Sequence, residues 1–251
     1  MRLCFLWLLL AVAIRCHSAE VQRSSPITIL PVPDPARDGQ AMAGRLRSTV
    51  PVQDSEYSGK LIVTARDGQF REVPIVSRLM LGRTNWQVTY RTTWDGKKPD
   101  ETLTITRSTN SPGRYELTTG PNAAPRVLNE GELSHAFAGS DFWAIDLGLE
   151  FFHWPKQRKI KNEVRRSRSC NVLESITPNP TPGGYARVLT WIDVETDGIV
   201  LAEAYGADGK LMKDFAIGAL RKVNGQHQLE SMKIRSRKTG QDTELKFDLQ
   251  P

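Results

Sequence analysis

At 251 residues, with 34 Lys and Arg against 28 Asp and Glu and a formal net charge of +6, the chain can bury one large core or two small ones. The mild positive balance is not the clustered charge that nucleic-acid binding requires, so nucleic acid is excluded as a partner. Contact with acidic lipid or an acidic protein stays compatible with it.

Arg2 precedes the apolar run LCFLWLLLAVAI and the short polar stretch RCHSAE. This is the layout of a secretory signal peptide over residues 1–19, too short to span a bilayer comfortably, with cleavage after Ala19 or Ser18. Arg15 rather than a small residue precedes Cys16, so a soluble exported protein is expected in place of a lipid-anchored one. Cleavage removes Arg2, Arg15, Cys4 and Cys16, which lowers the charge to about +4 and leaves Cys170 alone. A lone cysteine in the strand-like run SCNVLES reads as a buried inert thiol, and the mature fold must stand on its apolar core without a disulfide.

Residues 20–34 are proline-rich and read as an extended leader, and residues 35–251 as a single domain. Asp34 and Pro35 make an N-cap and first helical position. Ala36, Ala43, Leu46 and Val50 follow at helical spacing, with Gly39 and Gly44 each expected to weaken the helix by roughly 1 kcal/mol.

From Tyr57 the apolar period becomes two, as Tyr57, Leu61 and Val63 alternate with Ser58, Ile62 and Thr64. Turn dipeptides recur at Asp67-Gly68, Asp95-Gly96, Pro112-Gly113, Asp197-Gly198, Asp208-Gly209, Asn224-Gly225 and Thr239-Gly240. The runs between them (WQVTYRTT, ETLTITRS, YARVLTWID, IVLAEAYG, KLMKDFAIGAL, HQLESMKIRSR, TELKFDL) form an antiparallel meander. A sheet of about ten strands must curl, split or close to manage its edges. The expected class is mainly β: a curled antiparallel sheet forming an unclosed, half-open barrel, with the N-terminal helix and a short lid over its concave face. The lid is FWAIDLGLEFFHW, residues 142–154, which holds Phe142, Trp143, Phe151, Phe152 and Trp154. Taken alone, such a cluster is more often ordinary core than a ligand site.

His135, His153 and His227 form no pair at metal-ligand spacing, so no metal site is expected. No G-x-S-x-G or H-E-x-x-H motif occurs, and GADGKLMK is a hairpin turn rather than a phosphate loop. No cofactor, no nucleotide and no catalytic residue are expected. Asp141, Asp146 and Glu150 admit a glycosidase pair, but acidic residues at the start of a helix explain them as well. The basic run from Lys156 to Arg168 reads as a solvated hairpin with Ile160 and Val164 inward, or as a docking strip for anionic headgroups.

Several segments together, GSDFWAIDLGLEFFHWP, RSRSCNVLES, YARVLTWIDVETDGIVLAEAYGADGKLMKDF and the ending GQDTELKF, resemble the outer membrane lipoprotein-sorting proteins, the LolA-like periplasmic carriers. The helix, SGKLIVTARDGQFREVP and TNWQVTY agree, and the likeness runs over roughly residues 35–249. The most specific part is the Trp191-Ile192-Asp193 strand with the Y-x-x-D-G-K-x-x-K-x-F hairpin after it. The resemblance implies an apolar cavity for lipoprotein acyl chains or another lipid. It also implies an inner-membrane lipoprotein-releasing transporter and an outer-membrane acceptor as partners, in a periplasmic monomer. Met42, Leu46, Val50, Trp143 and Phe151 are then the expected mobile cover, and Trp86, Tyr90, Leu147, Trp191 and Phe215 the expected lining. A periplasmic lipid-binding or envelope-stress sensor domain is the alternative use of this fold. A carrier is needed because each exposed methylene costs about 0.8 kcal/mol in water, and release must proceed without ATP.

Overall fold

The computed structural model describes residues 34–94, 99–223 and 226–249. The expected signal peptide, most of the expected leader, and the expected turns at Asp95-Gly96 and Asn224-Gly225 lie outside the described residues.

Helix α1 (Pro35–Ser48) starts where the cap residues place it: the Asp34 carboxylate accepts hydrogen bonds from the backbone N–H groups of Ala36 and Arg37 at 3.0 and 3.1 Å. It ends two residues before Val50, which precedes Pro51 and is held away from helical geometry. Val50 is therefore 49% exposed and no part of the cover. Gly39 has a positive role that helix propensity hides. A Cβ there would lie 2.5 Å from the Cα of Arg158, so only glycine lets the helix rest directly on the strand backbone.

Thirteen strands form one antiparallel sheet. The first six are β1 (Ser55–Thr64), β2 (Phe70–Leu81), β3 (Trp86–Thr92), β4 (Glu101–Arg107), β5 (Arg114–Thr119) and β6 (Arg126–Leu128). The rest are β7 (Lys156–Arg165), β8 (Arg168–Ile176), β9 (Arg187–Asp193), β10 (Ile199–Tyr205), β11 (Leu211–Val223), β12 (Gln226–Ser236) and β13 (Asp242–Phe247). Two meanders, β1–β6 and β7–β13, join where the first strand pairs with the last, Gly59 opposite Phe247. The sheet does not close, and its two edges are β6 and β7. Residues 129–155 connect those edges. This crossover, which contains the short helix α2 (Ala144–Gly148), crosses the inside of the curl because the chain must pass from one free edge to the other.

Alternation sorts the strand residues between faces. Leu61, Val73, Ile75, Leu103, Ile105, Leu245 and Phe247 are all at most 2% exposed and belong to one inner core with Phe137, Phe142 and Phe152 of the crossover. A second, smaller apolar cluster of Cys170, Val172, Trp191 and Val200 is separate from it. Burial pushes the Cys170 thiol up, in keeping with an inert side chain.

The basic hairpin departs from the expected pattern. Ile160 and Val164 are exposed, at 39% and 66%. Lys159 pairs with Leu173 and Lys161 with Val172, so Ile160 is the extra residue of a β-bulge, and alternation does not carry through it. The charges are largely matched, with Arg158 on Glu174, Lys161 and Arg165 on Glu163, and Arg168 on Asp193.

Candidate functional site: the covered concave face

The crossover is held to the sheet by side chains gripping its backbone rather than by a strand ladder. Arg71 of β2 donates to the carbonyls of Ala138 and Gly139 at 3.2 and 2.6 Å, and the Glu101 carboxylate of β4 accepts from the Ala138 N–H at 3.0 Å. Thr243 of β13 accepts from the Asp141 N–H at 3.0 Å, and Lys213 of β11 donates to the Asp141 carbonyl at 2.6 Å. Gln157 of β7 secures the far end, donating to the carbonyls of Phe151 and Trp154, both at 2.9 Å. Helix α1 adds Gln40 on the Pro155 carbonyl at 2.7 Å and Arg47 on the Phe152 carbonyl. Ala138 and Leu149 sit at φ of 55° and 52°, a left-handed conformation that costs a non-glycine residue about 1 kcal/mol or more. The grip over-determines it.

Lys213 is the central fastening. It is 5% exposed, its Nζ lies 3.6 Å from the Asp146 carboxylate and 3.4 Å from the centroid of the Trp143 ring. Trp143 in turn stacks on Tyr185, with centroids 4.8 Å apart and planes 19° off parallel. Asp146 accepts from the Tyr185 hydroxyl at 3.0 Å and from the Trp143 N–H at 2.9 Å. Burial lowers the Lys213 ammonium to about 8 and raises the Asp146 carboxyl, so their attraction does not fully offset desolvation.

Two hollows meet at Tyr185. The inner one, of about 30 Å³, is lined chiefly by Leu149, Phe151, Val188, Ala202, Ala204, Phe215 and Ile234, with Asp146, Tyr185 and Lys213 at its wall. Its free volume suits roughly one water molecule rather than an acyl chain. The outer one, of about 380 Å³, opens between the crossover, β5, β6 and the loop from Thr177 to Gly184, and Tyr185 belongs to both. Glu150 stands in its wall, 7% exposed, accepting from the Tyr115 hydroxyl at 2.9 Å and the Gly113 N–H at 3.1 Å. Burial pushes its carboxyl up to about 7. Tyr115 reaches it only because residue 148 is glycine: a Cβ on Gly148 would lie 1.9 Å from the Tyr115 oxygen.

The residues expected from sequence are distributed unevenly over this site. Phe151 and Phe215 line the inner hollow and Trp143 the outer one. Met42 is buried and Leu46 packs against the core, while Trp86, Tyr90 and Leu147 are solid inner core. Trp191 is set apart in the second cluster, where its indole N–H donates to Glu163 at 2.8 Å and Arg165 lies over its ring. In β9 both phases are apolar, Val188 and Ile192 in one and Leu189 and Trp191 in the other, so alternation leaves the choice of face open. Of the acidic trio, Asp141 accepts from Thr243 and Gln241 at 2.8 and 3.1 Å, Asp146 from Tyr185, and Glu150 from Tyr115 and Gly113 through one of its oxygens. Sequence reasoning missed the gripping residues. The available signal was phase: Lys213 shares its face with Phe215 and Ile217, Arg71 with Val73 and Ile75, and Glu101 with Leu103 and Ile105, each a charge on an apolar face.

Among the described residues no helix is long and apolar enough to cross a membrane. A family model described as an uncharacterized protein matches residues 123–249, which take in β6, the crossover and every later strand. No curated protein matches the sequence. The fold is shared with solved structures. A DUF1329 family protein from Desulfovibrio piger aligns at a TM-score of 0.70 and 16% identity, over 86% of this chain and 92% of that one. A putative outer membrane lipoprotein-sorting protein domain from Vibrio parahaemolyticus aligns at 0.70 and 17%, over 85% and 91%. A LolA superfamily protein from Nitrosomonas europaea aligns at 0.60 and 16%, over 86% and 93%.

Proposed function

Because the chain belongs to the uncharacterized protein family whose model matches residues 123–249 and has the fold of LolA superfamily proteins, we propose that it is a periplasmic carrier. Its cargo is the acyl chains of lipoproteins, held on the concave face and passed toward the outer membrane. The observation that carries this reading is the way the cover is attached. An apolar segment that completes the core is fastened across the sheet by individual hydrogen bonds, donated by Arg71 and Lys213 and accepted by Glu101 and Thr243, each worth about 1–3 kcal/mol net.

Such a cover is released in pieces without unfolding the sheet. In the closed form the aromatic side chains of the crossover occupy the apolar face. A loaded chain takes their place, so cargo is bound by exchange of one apolar contact for another and not by filling a standing void. The net gain is then a fraction of the full burial of each methylene, about 0.8 kcal/mol. That keeps affinity below that of a membrane or a dedicated acceptor, and delivery needs no nucleotide.

The test is native mass spectrometry of the exported, mature protein mixed with a synthetic acylated lipopeptide, with a photoreactive amino acid replacing either Phe151 or Trp191. The expected result is a one-to-one adduct and lipid crosslinking from position 151 but not from 191. A mass without adduct, or equal crosslinking from both positions, overturns the carrier reading.

A further inference from the structure

The outer hollow has a chemistry that an acyl chain does not require. Its volume of about 380 Å³ falls within the range of small-molecule sites, about 300–1,000 Å³. Its walls combine the aromatic rings of Tyr115, Trp143, Trp154 and Tyr185 with the carboxylates of Glu130 and Glu150, and no Lys or Arg is among its lining residues. That is notable in a chain whose net charge is +6. The one lining imidazole, His153, is kept neutral, since burial and the nearby Arg107 and Arg47 pull it down to about 4.

Glu150 is held ready. One oxygen, Oε2, takes both anchoring bonds, from Tyr115 and Gly113. Among the described residues the other, Oε1, accepts none. Burial is what chiefly raises the Glu150 carboxyl; Arg107, which is not among the lining residues, offsets part of that rise and Glu130 adds to it. Aromatic walls with carboxylates suit an organic ammonium group, the Trp143 ring itself already carrying Lys213 and Tyr185. They disfavour a phosphate or carboxylate head, for which the hollow offers repulsion and no cationic donor. They do not suit a metal ion either, as the described residues hold no group of three or more His, Cys, Asp and Glu that could ligate one.

We propose that the outer hollow is a headgroup site that selects amphiphiles whose polar end carries an ammonium group, with Glu150 as the pairing carboxylate and Glu130 supporting it. The proposal rests on the carrier reading for the tail alone. The inner and outer hollows share Tyr185, so head and tail of one amphiphile would meet at that residue.

The test measures calorimetric binding of dodecylammonium, dodecyl sulfate and dodecyl maltoside to the mature protein, each below its micellar concentration, with tailless butylammonium as a fourth probe. Dodecylammonium is expected to bind about tenfold tighter than the maltoside, the sulfate weakest. Glu150→Gln keeps an acceptor for Tyr115 and Gly113 and should abolish that preference while leaving maltoside affinity in place. Glu130→Gln, on an exposed side chain, should reduce the preference roughly threefold without any cost in folding. Equal affinities for the three tails, or a preference that survives Glu150→Gln, overturn the headgroup site and leave the carrier reading standing. Butylammonium binding that depends on Glu150, with no tailed probe bound more tightly than it, supports the headgroup site and overturns the carrier reading.

Discussion

The two hollows that meet at Tyr185 are built from opposite materials. The inner one is walled by small and aromatic apolar side chains, Ala202, Ala204, Phe151 and Phe215, and is nearly full. The outer one is open, more than ten times larger, and set with carboxylates. The inner hollow is what remains when a sheet's apolar face is covered by a segment that fits it almost completely, so its capacity depends on moving the cover. The outer hollow exists with the cover in place, so its chemistry is available before anything opens. A protein that must first recognise an amphiphile and then shield its tail needs both kinds of space, one standing and one latent.

That contrast is most directly broken by emptying the inner hollow. Phe151→Ala should cost about 3–5 kcal/mol in urea unfolding. It should also raise affinity for dodecyl maltoside, because the tail gains standing room, and leave the ammonium preference unchanged. If affinity dropped along with stability, the inner hollow would not be the tail site.

A somewhat smaller effect comes from the fastening. Lys213→Met strips the buried Asp146 of its ammonium partner and the Asp141 carbonyl of its donor, a loss of roughly 3 kcal/mol. Hydrogen exchange should quicken at the crossover amides far more than in β1 and β13. A uniform acceleration over the whole sheet would mean that Lys213 only stabilises the fold and does not hold down a separable cover.

The smallest effect is a pH signature confined to the outer hollow. Glu150 is raised from 4.5 to about 7, so between those values the folded chain retains a proton that the unfolded chain releases, and stability falls as pH rises. His153 is lowered from 6.5 to about 4. Between those values the unfolded chain holds the extra proton, and stability rises with pH. The two slopes oppose each other where they overlap. Glu150→Gln should therefore unmask stability that climbs with pH from about 4 to 6.5. His153→Gln should unmask stability that declines with pH from 4.5 to about 7. Denaturant midpoints across that range decide the matter, and parallel profiles in the two variants would remove both assignments.

Much of this architecture was legible before any coordinates. The Asp34 cap, period-two alternation from Tyr57 and the Asp-Gly and Thr-Gly turns specify local backbone geometry, and local geometry is what short stretches control. Gly68, Gly209 and Gly240 indeed hold positive φ at those turns. The helix boundary at Val50 and the reversal at Ile160 went unread because one depends on the proline that follows and the other on a bulge set by the neighbouring strand. The candidate site was half legible. The aromatic run identified the cover, and Phe151 and Trp143 within it reach the hollows. The grip of Arg71, Glu101 and Lys213 was visible only as charges in phase with apolar neighbours, a pattern that a solvated strand edge produces equally well.

By itself, then, the sequence determined a curled antiparallel sheet with an apolar cover, because alternation, caps and turns are properties of neighbouring residues. Only the tertiary structure decided that β6 and β7 are the free edges, that the crossover must therefore run inside the curl, and that Trp191 faces away from it. It also decided that the space beside Trp143 is left unfilled between carboxylates. The reason is that a face and a hollow are defined by residues far apart in the chain: Tyr115, Glu150 and Tyr185 share a wall that no window along the sequence contains.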